Sequence, residues 1–161
     1  MKFGYSRKNE FHTYVILDQK IREIMLPSRK EKIFDLSRSR KADELASMVN
    51  EWIFEGKVFY EEYHRWGTPF GREVCKIVEK IPKGKVMSYQ EVAKKIGSKA
   101  FRAVGGVMAK NPIPLLIPCH RVIRSDRTLG GYGGGVWMKR QILELEGVEF
   151  GGEKVKKEFL L

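Results

Sequence analysis

Residues 111–121 read Asn-Pro-Ile-Pro-Leu-Leu-Ile-Pro-Cys-His-Arg, and this stretch limits the fold more than any other. Pro112, Pro114 and Pro118 rule out a regular helix, because each fixes φ and removes an N–H donor. Each also drives its predecessor towards extended backbone. Leu115, Leu116 and Ile117 are too apolar for a solvated loop. The expectation is a rigid, buried, extended connector that ends on a thiol (Cys119), an imidazole (His120) and a guanidinium (Arg121). A preformed reactive site needs that kind of support. Alone, the stretch also reads as a Pro-rich core loop with an incidental cysteine, since unoxidised Cys is among the most buried residue types.

The chain around it is long enough, at 161 residues, for one good-sized domain or two small ones. No apolar run reaches the length of a membrane span. Met1-Lys2-Phe3-Gly4 lacks the apolar core of a signal peptide, so a cytoplasmic protein is expected. Two cysteines, Cys75 and Cys119, and three histidines give neither a disulfide framework nor a zinc-ligand spacing. No metal is expected. The formal charge of +11 favours a polyanion as partner, and nucleic acid is the natural one.

Phe11, Thr13, Val15 and Leu17 alternate with His12, Tyr14, Ile16 and Asp18, a strand pattern. A turn at Asp18-Gln19-Lys20 leads to a partner strand over Ile21–Leu26, and Pro27-Ser28 breaks it. His12 reads as a strand surface residue. Residues 40–56 form an amphipathic helix on Leu45, Met48, Val49, Trp52 and Ile53, with Gly56 as C-cap. Residues 1–60 thus make a small α/β scaffold, and 61–67 a linker.

Residues 68–161 make a second, mostly helical domain. Thr68-Pro69 is a helix start, and the helix runs through Phe70, Val74, Ile77, Val78 and Ile81. Cys75 inside it is structural. Val86-Met87 suits a short strand. Ser88-Tyr89-Gln90-Glu91 has capping-box form, and the helix it opens buries Val92, Ala93 and Ile96 and ends at Gly97. Ala100–Ala109 makes a third helix, giving a helix-turn-helix outline with Lys94, Lys95, Lys99 and Arg102 placed for phosphates. Its small residues, Ala103, Gly105, Gly106 and Ala109, suit close or minor-groove approach rather than base reading. Five glycines between 130 and 135, around Tyr132, free the backbone to approach a ligand. A last helix over 136–146 buries Met138, Ile142 and Leu145.

A Cys nucleophile needs a base, and the base needs an orienting carboxylate. His120 is adjacent, so a bridging water is expected. Glu146 is the carboxylate chosen from twenty acidic residues. The block from Thr68 to Gly147 closely resembles the O6-alkylguanine-DNA alkyltransferases, suicide methyltransferases of direct DNA repair. Ser88-Tyr89-Gln90, Arg102-Ala103-Val104-Gly105-Gly106, Asn111-Pro112, Ile117–Val122, Gly130–Gly134 with Tyr132, and Glu146-Gly147 carry it.

The resemblance implies a ribonuclease-H-like N-terminal sheet and helix, and a winged-helix-type helix-turn-helix in the second domain. It implies stoichiometric transfer of an alkyl group from O6 of guanine, or O4 of thymine, in a flipped base of duplex DNA to Cys119. His120 would act as base through water, and Glu146 would orient it. Tyr89 would hydrogen-bond the guanine. Arg102 would fill the gap left by the base. Asn111 would brace the turn. The Cys119 and Val122 carbonyls would accept from the exocyclic amine, and Tyr132 and Gly133 would line the substrate site. Gly133 stands where some relatives carry a Ser, leaving only its N–H to reach O6. No cofactor is implied, and the protein would act as a monomer. A DNA-binding regulator, a non-catalytic lesion sensor and a thiol hydrolase are the rival readings.

Overall fold

The computed structural model of the chain describes residues 2–8, 11–18, 20–25, 37–38, 40–55 and 67–161. The chain is a mixed α/β protein divided into two compact units. One comprises residues 1–64 and 112–116, the other 65–111 and 117–161.

In the first unit, strands β1 (Lys2–Lys8), β2 (Phe11–Asp18), β3 (Lys20–Met25) and β4 (Ser37–Arg38) form a sheet in the order β3-β2-β1-β4. The β1–β2 and β2–β3 pairs are antiparallel. β4 joins β1 in parallel. Helix α1 (Arg40–Glu55) packs on β1 and β2. Ala42, Leu45, Ala46 and Val49 make its buried stripe. Met48, expected to point inward, is 41% exposed, because Leu45 and Val49 already fill the centre of that stripe. The turn at Gln19, the break at Pro27-Ser28, the Gly56 cap and the junction over residues 61–66 lie outside the described residues.

The second unit opens with α2 (Pro69–Val78). Thr68 Oγ1 accepts from Gly71 N at 3.1 Å, and Pro69 takes the first helical position, where a missing N–H costs nothing. Gly71, Val74, Cys75 and Val78 form the buried i, i+3, i+4, i+7 face. The helix stops before Ile81, which is nonetheless buried.

Strand β5 (Met87–Ser88) pairs in parallel with β6 (Val122–Ile123). This pairing places the start of α3 (Tyr89–Lys95) beside the residues that follow Cys119. Ser88 caps α3 by accepting from Glu91 N at 3.1 Å. Gly97, with φ +67, ends it. Ile96 is half-buried rather than inward, since it caps the last turn. Helix α4 (Phe101–Ala109) follows after a short turn and packs on α3, burying Val104 and Met108.

Helix α5 (Val136–Leu145) buries Met138, Lys139, Ile142 and Leu143. Leu145, expected inside, is 49% exposed, because the buried face turns through Leu143 and on to Glu146 instead. Gly147, at φ +87, closes the helix in the left-handed conformation that glycine adopts freely. Val86, Ile123, Leu129, Leu143, Val148 and Val155 form one core cluster beneath β5, β6 and α5, with Phe150 and Phe159 against it. Each such side chain stabilises the unit by about 1.5–3 kcal/mol. The tail, given no role from sequence, is tied in: β7 (Phe150–Gly151) pairs with β8 (Lys154–Val155), and Leu161 N donates to Val86 O at 2.9 Å.

The stretch from 111 to 121 is buried as expected but not extended. Leu115 has φ +80, so the chain reverses there, and Cys119–Arg121 forms a single 3-10 turn. The prolines exclude an α-helix but permit turns, and the reversal brings residue 117 back towards residue 111.

Candidate functional site

That return is fastened by Asn111, a buried amide. Its Nδ2 donates to Ile117 O at 2.9 Å and to Cys119 Sγ at 3.2 Å. One side chain therefore sets both the loop closure and the position of the sulfur. Cys119 is 6% exposed, at the base of a cleft of about 420 Å³. That volume falls within the range of small-ligand sites. Tyr89, Arg124, Tyr132, Gly130, Gly131 and Gly133 line it, together with the small and flexible side of α4 at Gly105, Met108 and Ala109.

Behind the cysteine lies a buried ionic group. His120 is fully buried, and its Nε2 sits 3.0 Å from Glu146 Oε1. Arg121 donates to the same carboxylate through Nε, at 2.9 Å to Oε2, and through Nη2, at 2.6 Å to Oε1. Its Nη1 donates to Ile81 O at 2.7 Å, anchoring the group to the turn that follows α2. Burial raises the Glu146 carboxyl, but the hydrogen bonds and charges of His120 and Arg121 together outweigh that and hold it at about 2. Burial lowers His120, against the opposing pull of Glu146. The two shifts draw on opposite ring states. Full burial decides for a neutral imidazole, which leaves Arg121 as the cation that keeps Glu146 ionised.

Two further groups shape the cleft. Burial raises the Tyr89 phenol, and negative charge on Cys119 raises it further, while Arg124 opposes both. The phenol therefore keeps its proton at neutral pH and remains a donor. Lys139 was not anticipated from sequence. It is fully buried, and its Nζ donates to Val122 O at 2.6 Å and to Leu129 O at 2.7 Å. Burial lowers it to about 8, against support from Cys119. A signal was present: Lys139, Ile142 and Leu143 share one helical face, so this lysine interrupts an apolar stripe. Arg121 was noticed, but its pairing with Glu146 was not.

The structure thus brings Cys119, Tyr89, Tyr132 and Gly133 to one cleft, and sets Asn111, His120 and Glu146 around the cysteine's turn. The Val122 carbonyl is held by Lys139. Arg102 and Lys94, Lys95 and Lys99 are exposed on or beside α3 and α4, outside the cleft lining. Cys75 and Cys119 are both buried and not joined in a disulfide. Among the described residues no helix is long and apolar enough to cross a membrane.

Residues 69–148 match the family described as 6-O-methylguanine DNA methyltransferase, DNA binding domain. A methylated-DNA--protein-cysteine methyltransferase of Methanothermobacter thermautotrophicus is 48% identical over 86 residues, 53% of this chain and 48% of that protein. One from Saccharolobus solfataricus is 54% identical over 98 residues, 60% of this chain and 64% of its own length. The matched stretch therefore spans about half to two thirds of these curated relatives. The similarity of fold extends further. The crystal structure of Mycobacterium tuberculosis OGT in complex with DNA matches with a TM-score of 0.81 at 31% identity, covering 91% of this chain and 92% of that one. With nine-tenths of both chains matched, and the cysteine turn and its buried ionic group lying in the segment that the family defines, this chain belongs to the 6-O-methylguanine DNA methyltransferase family.

Proposed function

We propose that the protein is a single-use alkyl acceptor of direct-reversal DNA repair. It takes a methyl or larger alkyl group from O6 of guanine in duplex DNA, and in the same way from O4 of thymine, onto Cys119. The observation that carries this reading is Cys119 at the base of a nucleotide-sized cleft with the His120–Glu146 pair on the adjoining residue.

Glu146 holds Nε2–H of His120, so Nδ1 is the nitrogen that takes the thiol proton through a water. The thiolate attacks the alkyl carbon, the new S–C bond forms, and the C–O6 bond breaks with its electron pair passing to guanine. Tyr89 donates to the base as that charge develops, since burial raises its pKa and keeps the proton on the phenol. Tyr132 and the Gly133 N–H border the base, and the carbonyls of Cys119 and Val122 accept from its exocyclic amine. Asn111 orients the sulfur throughout. The thioether product has no hydrolytic exit, so each molecule reacts once, and no cofactor takes part.

The DNA is held by α3 and α4 acting as a winged-helix-type helix-turn-helix. Lys94, Lys95 and Lys99 contact phosphates, and Arg102 occupies the space of the extruded base. The N-terminal sheet and helix serve as a ribonuclease-H-like scaffold, and one monomer acts per lesion. The test is intact-protein mass spectrometry after incubation with a duplex containing O6-methylguanine. A gain of one CH2 that disappears in Cys119→Ala is expected. DNA binding without any mass gain would replace this reading with a lesion sensor.

A further inference from the structure

Phe101 has no place in the reaction just described. It opens α4 directly before Arg102, and it is 40% exposed. Helical spacing puts it on the stripe of Val104 and Met108, which are 0% and 7% exposed. That stripe thus begins buried at the helix's far end and surfaces at its first turn. Isolated exposed apolar side chains are ordinary on protein surfaces. Two observations set this one apart. The Arg102 guanidinium carbon lies 5.8 Å from the centroid of the Phe101 ring, within cation–π reach. And the neighbouring part of α4 is bare: a Cβ built on Gly105 or Gly106 would meet nothing within 4 Å. An exposed ring and an exposed arginine therefore stand together beside an open, small-residue surface.

We propose that Phe101 is a positioning residue for Arg102 during base extrusion, and an apolar wedge against the nucleotide next to the gap. This rests on the proposed function, in which Arg102 enters the vacated stack. A lone arginine side chain samples many rotamers, and it must be ordered as it enters. The ring narrows that choice by holding the guanidinium over its face. Its exposed edge is then available to a base or sugar of the flanking pair, as apolar side chains are used by proteins that kink the minor groove. The ligand is duplex DNA at the junction between stacked and extruded nucleotide.

The experiment measures the rate of alkyl transfer from an O6-methylguanine duplex by wild type, Phe101→Ala, Phe101→Tyr, Arg102→Ala and the Phe101→Ala/Arg102→Ala double variant. Transfer from free O6-benzylguanine, which involves no DNA, is the parallel measurement. Phe101→Ala should slow duplex transfer about fivefold or more, from the loss of a cation–π and a stacking contact. Phe101→Tyr should restore it, and the free-base rate should stay within about twofold of wild type, the size of change expected where no contact is lost. In the Arg102→Ala background the Phe101→Ala effect should shrink. Equal duplex rates for wild type and Phe101→Ala would overturn the proposal. So would equal losses on duplex and free base, which would mark a purely structural role, or full additivity with Arg102→Ala. If wild type itself gains no alkyl group from either substrate, the proposed function fails, and this inference with it.

Discussion

His120 and Glu146, 26 residues apart in sequence, meet at 3.0 Å between Nε2 and Oε1 in a site closed to solvent. Arg121 completes the group, and removing the carboxylate charge leaves that guanidinium buried without its anion. Glu146→Gln should therefore cost about 3 kcal/mol at neutral pH, the lower end for breaking a buried pair. A carboxyl that the Arg121 cation holds below its usual value near 4.5 contributes stability in the same direction. This stability is present above pH 4.5 and is lost as pH falls from there towards 2. Urea titrations of both proteins at pH 7, 4 and 3 should show the gap closing with acid; a constant gap would disprove the account. Alkyl transfer by the variant should be at least about tenfold slower, a part of what a positioned base supplies.

Asn111→Ala removes two donors from a buried turn at once. The Ile117 carbonyl loses its partner amide, and the sulfur loses the group that orients it. A buried acceptor left unsatisfied costs about 1–3 kcal/mol. The variant should unfold at correspondingly lower urea, and it should transfer more slowly even where it is fully folded. Asn111→Asp separates the two effects: it keeps the size but replaces both donors with an anion beside the sulfur. It should fall below Asn111→Ala in transfer rate at neutral pH. Equal rates for Asn111→Asp and wild type would show that the amide does nothing for the sulfur.

Much of this site can be read from residues close together in sequence. Cys119, His120 and Arg121 are consecutive, Ser88 caps the helix that carries Tyr89, and Thr68-Pro69 starts α2 where the chemistry of those residues places it. These are local effects with local causes. What escaped is long-range. The φ of +80 at Leu115 turns an apparently extended run back on itself, and three prolines are as compatible with a turn as with a strand. Lys139 is one of 31 basic residues, and only the fold shows that this one is buried between two carbonyls. Met48 and Leu145 obey the helical period yet face solvent, because periodicity defines a stripe and not where its edge falls.

Gly130 has φ +70, and a Cβ there would lie 3.5 Å from the Tyr89 hydroxyl oxygen and 3.5 Å from Arg124 Cγ. The space is ordinary contact distance, so the cost of Gly130→Ala is mainly conformational, about 1–2 kcal/mol for a left-handed alanine. The methyl would also stand beside the Tyr89 hydroxyl in the lining of the cleft. A modest loss of stability should accompany a larger loss of transfer, read as a weaker response to duplex concentration. Gly97→Ala, at φ +67 with nothing within 4 Å of its Cβ, is the control: similar strain, and no effect on the cleft.

Lys139 carries the same sign of pH dependence as Glu146, but on the alkaline side and as a cost at neutral pH. Its ammonium is held at about 8 in the fold, against 10.5 for an ordinary lysine. Between those values the unfolded chain binds the additional proton, so stability rises with pH across that window. The contribution is on the order of 3 kcal/mol from this residue. Other lysines titrate too, so the quantity to measure is the stability of wild type minus that of Lys139→Met. At pH 7 the methionine avoids burying a charge but leaves the Val122 and Leu129 carbonyls without their donor at 2.6 and 2.7 Å. As pH rises from 8 to 10.5, wild type sheds its buried charge and the difference should move in its favour. A flat difference curve would mean that the ammonium is solvated in the folded protein, and that its two carbonyl contacts do not survive in solution.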